Sequence, residues 1–136
     1  MPATGRTPDP SRQIALGLTV AGLLLPFALL GALLTGAATW GILTEPPADG
    51  GSLLVTPGTP KTVIGLILLW WCLPIGVPAS FGALFARYGR AAARAAGSTP
   101  AARAGDVLLW CHTGMLVLSV ASGLAAMARA SLEATS

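Results

Sequence analysis

Three long stretches of the chain carry no Asp, Glu, Lys or Arg, and they constrain the fold more than any other feature. They run over Ile14–Leu43, Thr62–Ala86 and Val107–Ala128. A soluble helix keeps a polar face toward water, so a soluble domain has no means of covering this much uncharged chain. An apolar stretch of about 18 residues or more is typical of a membrane span. The sequence therefore predicts an integral membrane protein and excludes a soluble enzyme, a nucleic-acid-binding domain and a disordered tail.

Composition agrees with a small polytopic membrane protein. Of the 136 residues, 54% are hydrophobic and only 10% are charged, whereas a soluble domain carries about 25% charged residues. The length allows one domain at most. Ala is abundant, Asn is absent and seven of the eight basic residues are Arg, a bias that is typical of GC-rich bacterial genomes. We therefore expect a multi-pass protein of the bacterial inner membrane.

We predict an all-α fold with three transmembrane helices. In chain order, the sequence predicts a disordered leader (1–13), a first span (14–43), a Pro/Gly-rich loop (44–61), a second span (62–86), a basic loop (87–104), a third span (105–128) and a short polar tail (129–136). Leu53, Leu54 and Val55 form the apolar cluster of the first loop. We expect them either to enter the membrane interface or to pack on the bundle.

The orientation follows from where the basic residues lie. Two of the eight basic residues, Lys61 and Arg129, lie on one side of the predicted bundle. The other six lie on the opposite side, in the leader and the second loop. Because cytoplasmic segments carry the excess of Lys and Arg, the N-terminus and the second loop are predicted to be cytoplasmic. The first loop and the C-terminus are then extracytoplasmic.

The second predicted span contains a break at Pro74, Gly76 and Pro78. Proline has no backbone N–H, so the carbonyls of Trp70 and Pro74 lose their usual partners four residues on. Discontinuous helices of this kind are where transporters build substrate and ion sites. The same residues are also typical of a structural kink, since Pro and Gly are frequent in membrane helices. Both interpretations stay open, although none of the acidic residues lies within a predicted span.

Trp70 and Trp71 lie well inside the second predicted span. Tryptophan is enriched at the two membrane interfaces, where its ring sits at the level of the lipid head groups. This pair is too deep for such a belt. We therefore predict that both rings pack between helices or line a cavity.

His112 is the only histidine, and it lies within the third predicted span. An ionisable residue inside a membrane is a functional candidate, here as a haem ligand, a metal ligand or a proton relay. The alternative is a neutral imidazole bonded to a neighbouring helix. No Cys/His spacing supplies the ligands of a zinc site, so we predict no metal and no cofactor. Ser119 and Ser122 share the helical face of His112, as expected for a stripe of small and polar residues that packs helices together.

Four arginines form a basic patch after the second predicted span: Arg87, Arg90, Arg94 and Arg103. The first three are spaced three and four residues apart, so they share one helical face. Such a patch is suited to anionic lipid head groups. It would also suit an acidic cytoplasmic partner, or it serves only to set the topology.

The sequence contains no P-loop, no GxGxxG motif, no Ser-His-Asp set and no pair of carboxylates suited to hydrolysis. We therefore predict a protein without catalytic activity of its own, an accessory or anchoring subunit of a membrane complex. Its expected partners are the lipid bilayer and either other membrane subunits or further copies, and no nucleic acid. Two alternatives remain: a small transporter or homo-oligomeric pore that uses the Pro74–Pro78 break, and a haem-bearing redox subunit through His112.

Overall fold

A computed structural model describes residues 9–44, 54–56 and 58–135, and this part of the chain forms three α-helices. They are α1 (Pro10–Thr44), α2 (Lys61–Ala95) and α3 (Thr99–Thr135). All three are long and apolar enough to cross a membrane. At about 1.5 Å per residue, each is more than ~50 Å long and exceeds the ~30 Å hydrocarbon core of a bilayer. The prediction of an all-α chain with three such helices is confirmed.

The first helix begins inside the segment that was predicted to be a disordered leader, 1–13. Asp9 caps it: its Oδ1 accepts hydrogen bonds from the backbone N–H of Ser11 at 3.0 Å and from the Ser11 hydroxyl at 2.8 Å. Pro10 occupies the first helical position, where a missing N–H does no harm. The helix therefore starts at a good N-cap and not at the edge of the charge-free stretch. Residues 1–8 lie outside the described residues.

A short turn joins α2 to α3, and most of the predicted basic loop, 87–104, is helical. Gly97 has a φ of +69°, the left-handed conformation that glycine adopts easily. The N–H of Ser98 donates to the carbonyl of Ala93 at 2.9 Å, and the N–H of Gly97 donates to that of Arg94 at 3.1 Å. These two bonds are the Schellman pattern, which satisfies the last carbonyls of a helix. The turn makes α2 and α3 an antiparallel hairpin.

The segment before α2 packs on the end of α3, which is itself helical through most of the predicted polar tail, 129–136. Val55 is buried in one cluster with Ile64 and Ala130, and Leu54 packs against that cluster. Packing on the bundle is therefore the correct alternative for Leu54 and Val55. Leu53, the remaining member of the predicted apolar cluster, lies outside the described residues.

Small residues face the inside of the bundle, and large apolar residues face outward. The most exposed large side chains include Leu33, Trp40 and Trp110, each more than two-thirds exposed. A soluble bundle has the opposite arrangement, with its large apolar side chains inside. Small interior residues let helix backbones approach closely, as in membrane bundles. The buried residues of α1 illustrate this: Gly17, Ala21, Ala28, Gly31 and Thr35.

Two glycine contacts set the distance between α1 and α2. A Cβ placed on Gly17 would lie 2.6 Å from the Cα of Gly89, and a Cβ placed on Gly31 would lie 2.5 Å from the carbonyl oxygen of Pro74. Real Cβ atoms essentially never approach that closely, so both contacts require glycine. Because Gly17 meets Gly89 while Gly31 meets Pro74, the two helices run antiparallel.

The two tryptophans of α2 differ in their surroundings. Trp70 is 72% exposed, so of the two predicted environments, packing between the helices of this bundle is wrong for its ring. The Trp71 ring is half-buried, and its Nε1–H donates to the Thr39 hydroxyl of α1 at 2.8 Å. Adjacent residues of a helix point about 100° apart, so they rarely share an environment.

We predict that Gly17→Ala lowers the free energy of unfolding by about 1–3 kcal/mol, the usual range for overpacking. The added methyl group would meet the Gly89 backbone, which has no flexible end to move aside. Gly22→Ala is the matched control in the same helix, because a Cβ there meets nothing within 4 Å. That control should be neutral or stabilising by up to ~1 kcal/mol, since Ala is the better helix former. Unfolding by SDS in mixed micelles measures both, and equal effects would contradict the close contact.

Candidate functional site

A polar side chain links each pair of helices inside the bundle. The Trp71–Thr39 hydrogen bond joins α2 to α1. Ser119 joins α3 to α2 through the Cys72 backbone, and His112 joins α3 to α1 through the Ala21 carbonyl. In an apolar environment, a polar group inside a helix needs such a partner. These contacts make up the candidate site.

His112 is fully buried, at 0% exposure. Its Nε2 lies 3.0 Å from the carbonyl oxygen of Ala21. A carbonyl only accepts hydrogen bonds, so Nε2–H is the donor in this contact. Nδ1 is buried and has no hydrogen-bond partner among the described residues. The arrangement uses His112 as a donor to a neighbouring helix.

Gly82 of α2 provides the space for the imidazole ring. A Cβ placed on Gly82 would overlap the Cε1, Nε2 and Nδ1 atoms of His112. The ring therefore lies directly against the α2 backbone, with the Ala21 carbonyl of α1 beside it. His112 thus contacts both other helices from one position on α3.

Ser119 and Cys72 exchange two hydrogen bonds. The Ser119 hydroxyl donates to the Cys72 carbonyl at 2.9 Å, and the Cys72 thiol donates to the Ser119 carbonyl at 3.4 Å. Gly76 lies beside this pair, since a Cβ placed there would stand 3.4 Å from the Ser119 hydroxyl oxygen. Ser122 is buried one turn further along α3. Of the predicted positions, the structure brings Gly76 and Ser119 together.

The α2 helix continues through Pro74 and Pro78. Because Pro78 has no N–H, the Pro74 carbonyl lacks its helical partner, and this oxygen lies against Gly31 of α1. Such a close approach suits a weak Cα–H···O contact. Both prolines line an outward-facing apolar groove of about 680 Å³ between α1 and α2. Phe81 and Phe85 also line this groove, so it passes the level of Gly82, which contacts His112 from another face of α2.

The four arginines of the predicted basic patch divide into two pairs. Asp106 of α3 binds Arg90 at 2.7 Å and Arg94 at 3.3 Å. Arg87 and Arg103 are exposed, and no described acidic residue forms an ion pair with either. The patch therefore carries less uncompensated positive charge than the sequence alone indicates.

Glu133 is a structural residue that the sequence analysis missed. It is 8% exposed, and its Oε2 accepts hydrogen bonds from the backbone N–H groups of Leu54 at 3.0 Å and Val55 at 3.3 Å. Its Oε1 pairs with Arg129 at 3.1 Å. The i,i+4 spacing from Arg129 was the only signal in the sequence. The loop partners lie 79 and 78 residues away along the chain, so no local pattern reveals them.

The site residues include few of the side chains that usually bind a metal ion, which are those of His, Cys, Asp and Glu. Within residues 9–44, 54–56 and 58–135, no group of three or more His, Cys, Asp or Glu side chains could hold a metal ion.

Comparisons with models of protein families, with curated proteins and with solved structures found no match. A functional proposal for this chain therefore rests on its own contacts.

A double-mutant cycle tests the contact between Gly82 and His112. In the wild-type background, Gly82→Ala should lower the free energy of unfolding by about 1–3 kcal/mol, because the methyl group displaces the buried ring. In a His112→Ala background the ring is gone, so the same substitution should be close to neutral. Unfolding by SDS in mixed micelles measures the four proteins. A cost for Gly82→Ala that is equal in both backgrounds would rule out the contact.

We predict that Glu133→Gln releases the loop segment at residues 54–55. The neutral amide loses the ion pair with Arg129 and accepts weaker hydrogen bonds than a carboxylate does. Amide hydrogen exchange at Leu54 and Val55 should become at least several-fold faster. Ser131→Ala is the matched control, because the Ser131 hydroxyl is exposed and bonds only within α3. Unchanged exchange in the Glu133→Gln protein would show that the carboxylate does not hold the loop.

Proposed function

We propose that the chain is a multi-pass protein of the bacterial inner membrane that serves as an accessory or anchoring subunit of a membrane complex and has no catalytic activity of its own. In this proposal the three helices span the bilayer, the Arg-rich end lies in the cytoplasm, and the other end lies outside. The lipid bilayer and other membrane subunits are its partners.

One observation carries the proposal: the polar side chains of the interior bind other parts of the same bundle. His112, Ser119 and Trp71 each form a hydrogen bond to a neighbouring helix. A group that is committed to helix packing is poorly placed to bind and release a substrate. The large apolar residues, in contrast, face outward on all three helices. That distribution is what a subunit needs if it contacts lipid and partner helices.

The contacts give less support to the two alternatives. The transporter hypothesis relies on the backbone carbonyls freed at the proline break, and one of them, the Pro74 carbonyl, lies against the backbone of Gly31. The haem hypothesis relies on His112, whose Nε2 bonds to Ala21 and whose ring is enclosed against Gly82. An axial ligand would have to leave both contacts. The accessory role requires no such rearrangement.

Reporter fusions and the mass of the purified protein test the proposal together. Alkaline phosphatase fused to the C-terminus should be active, because the C-terminus is extracytoplasmic, while a fluorescent protein fused there should stay dark. The same reporters inserted after Gly97 should give the opposite pattern. The wild-type chain should also purify in mild detergent with a second membrane chain, at a mass well above its own 13.6 kDa.

The two parts of the experiment have separate contrary outcomes. A reversed reporter pattern would overturn the orientation alone. A single chain of monomeric mass, with no second chain recovered even after cross-linking in the intact membrane, would overturn the accessory role. Flux through proteoliposomes that is lost in Pro74→Ala and Pro78→Ala would instead favour the transporter.

A further inference from the structure

A long apolar groove runs between α1 and α2 on the outer surface of the bundle. Its section farther from the Arg-rich end, of about 680 Å³, includes Pro74 and Leu73. Its inner section, of about 550 Å³, lies at the Arg-rich end and includes Leu16 and Tyr88. Phe85 lines both sections, so the two sections adjoin along the helices. We call the two sections together the α1–α2 groove.

The dimensions of the α1–α2 groove suit an extended hydrocarbon chain. From Pro74 to Tyr88 the groove follows α2 for about 21 Å, at roughly 1.5 Å per residue. One leaflet of a bilayer contributes about 15 Å of the ~30 Å hydrocarbon core. With its Arg87 end at the level of the head groups, as in the proposed insertion, the groove reaches past the middle of the membrane. Leucine, phenylalanine, valine and proline side chains make up nearly all of the wall of the section at Pro74, and Leu16, Leu84 and Phe85 continue that apolar wall toward Arg87 and Tyr88.

The charge at the inner end of the groove identifies the kind of lipid. Arg87 is the only charged residue among the described residues that line it. Asp106 binds Arg90 and Arg94 but forms no ion pair with Arg87. Tyr88, which is 43% exposed, lines the same section of the groove and carries a hydroxyl group that is able to donate a hydrogen bond. Guanidinium groups bind phosphate oxygens through paired, charge-assisted hydrogen bonds.

We propose that the α1–α2 groove binds one acyl chain of an anionic phospholipid, whose phosphate group is held by Arg87 and the Tyr88 hydroxyl. The proposal rests on the proposed membrane insertion but is independent of the accessory role. An apolar helix from a partner would fill the same walls and leave the guanidinium without a counter-charge. An anionic phospholipid supplies an acyl chain that contacts the apolar walls and a negative charge that pairs with the guanidinium at their end. Arg12, exposed on α1 one turn before Leu16, adds positive charge at this end.

Native mass spectrometry tests the proposal on the intact chain in non-ionic detergent. The probes are phosphatidylglycerol and phosphatidylcholine with identical acyl chains, added in equal amounts. The wild-type chain should retain phosphatidylglycerol preferentially. Arg87→Gln should reduce phosphatidylglycerol adducts about fivefold, which corresponds to roughly 1 kcal/mol for one basic residue at an anionic surface. Arg103→Gln is the matched control, since it removes the same charge from an exposed site outside the groove.

A second pair of variants tests the groove without changing any charge. Ala91 lines the inner section, so Ala91→Phe should fill it and reduce phosphatidylglycerol adducts while Arg87 is intact. Ala95→Phe, one turn further along α2 and also exposed, should leave the adducts unchanged. Inorganic phosphate at millimolar concentration should not displace the lipid, because it lacks the acyl chain.

Several outcomes would overturn the proposal. Equal losses for Arg87→Gln and Arg103→Gln would indicate a diffuse charge layer and no site. Normal adducts in Ala91→Phe would show that the groove is not used, and a co-purified helix that excludes lipid would assign the groove to a partner. Recovery of the wild-type chain in the membrane fraction tests insertion separately. A failure of membrane insertion is therefore distinguishable from a failure of lipid binding.

Discussion

Direct contact between helix backbones is the constraint on which the rest of this structure depends. Gly17 meets Gly89, and Gly31 meets the carbonyl of Pro74, so α1 and α2 approach closely enough for their backbones to touch. In an apolar environment, burial of leucine gives no advantage over contact with lipid, and van der Waals packing and hydrogen bonds hold helices together. The small residues therefore determine the helix spacing, and the large side chains remain on the outside.

The polar links depend on this spacing. The His112 ring contacts the α2 backbone because position 82 is glycine, and from there its Nε2–H bonds to Ala21. The reciprocal hydrogen bonds of Ser119 and Cys72 also require backbones that lie within reach of short side chains. Because each pair of helices has at least one polar contact, these contacts specify the register of α1, α2 and α3 along one another. A uniformly apolar interface would discriminate less well between registers.

The parts of this fold that the sequence predicts are those that depend on local patterns. Long charge-free stretches indicate three apolar helices whatever lies beside them. The stripe that places His112 and Ser119 on an inward face follows from helical periodicity alone. The helix ends were less predictable. α1 begins earlier than expected because Asp9 caps it, and α3 extends through the predicted tail with Glu133 paired to Arg129.

The partners of the site residues depend on how the helices align, and a single sequence contains little information about that alignment. Ala21 lies 91 residues before His112, and no pattern near either residue connects them. Counting arginines by side of the membrane indicated one basic patch. The structure divides that patch, because Asp106 forms ion pairs with Arg90 and Arg94 but not with Arg87. The distinction between a general basic surface and a defined groove therefore required the structure.

The contact between Glu133 and the first loop has a consequence for the timing of synthesis. The N–H group of Leu54 bonds to a carboxylate that lies 79 residues later in the chain. At about 5–20 residues per second, that carboxylate is made roughly 4–16 s after Leu54. During this interval water must satisfy the loop amides. Leu54 and Val55 therefore take up these positions only after α3 has been synthesised almost to its end.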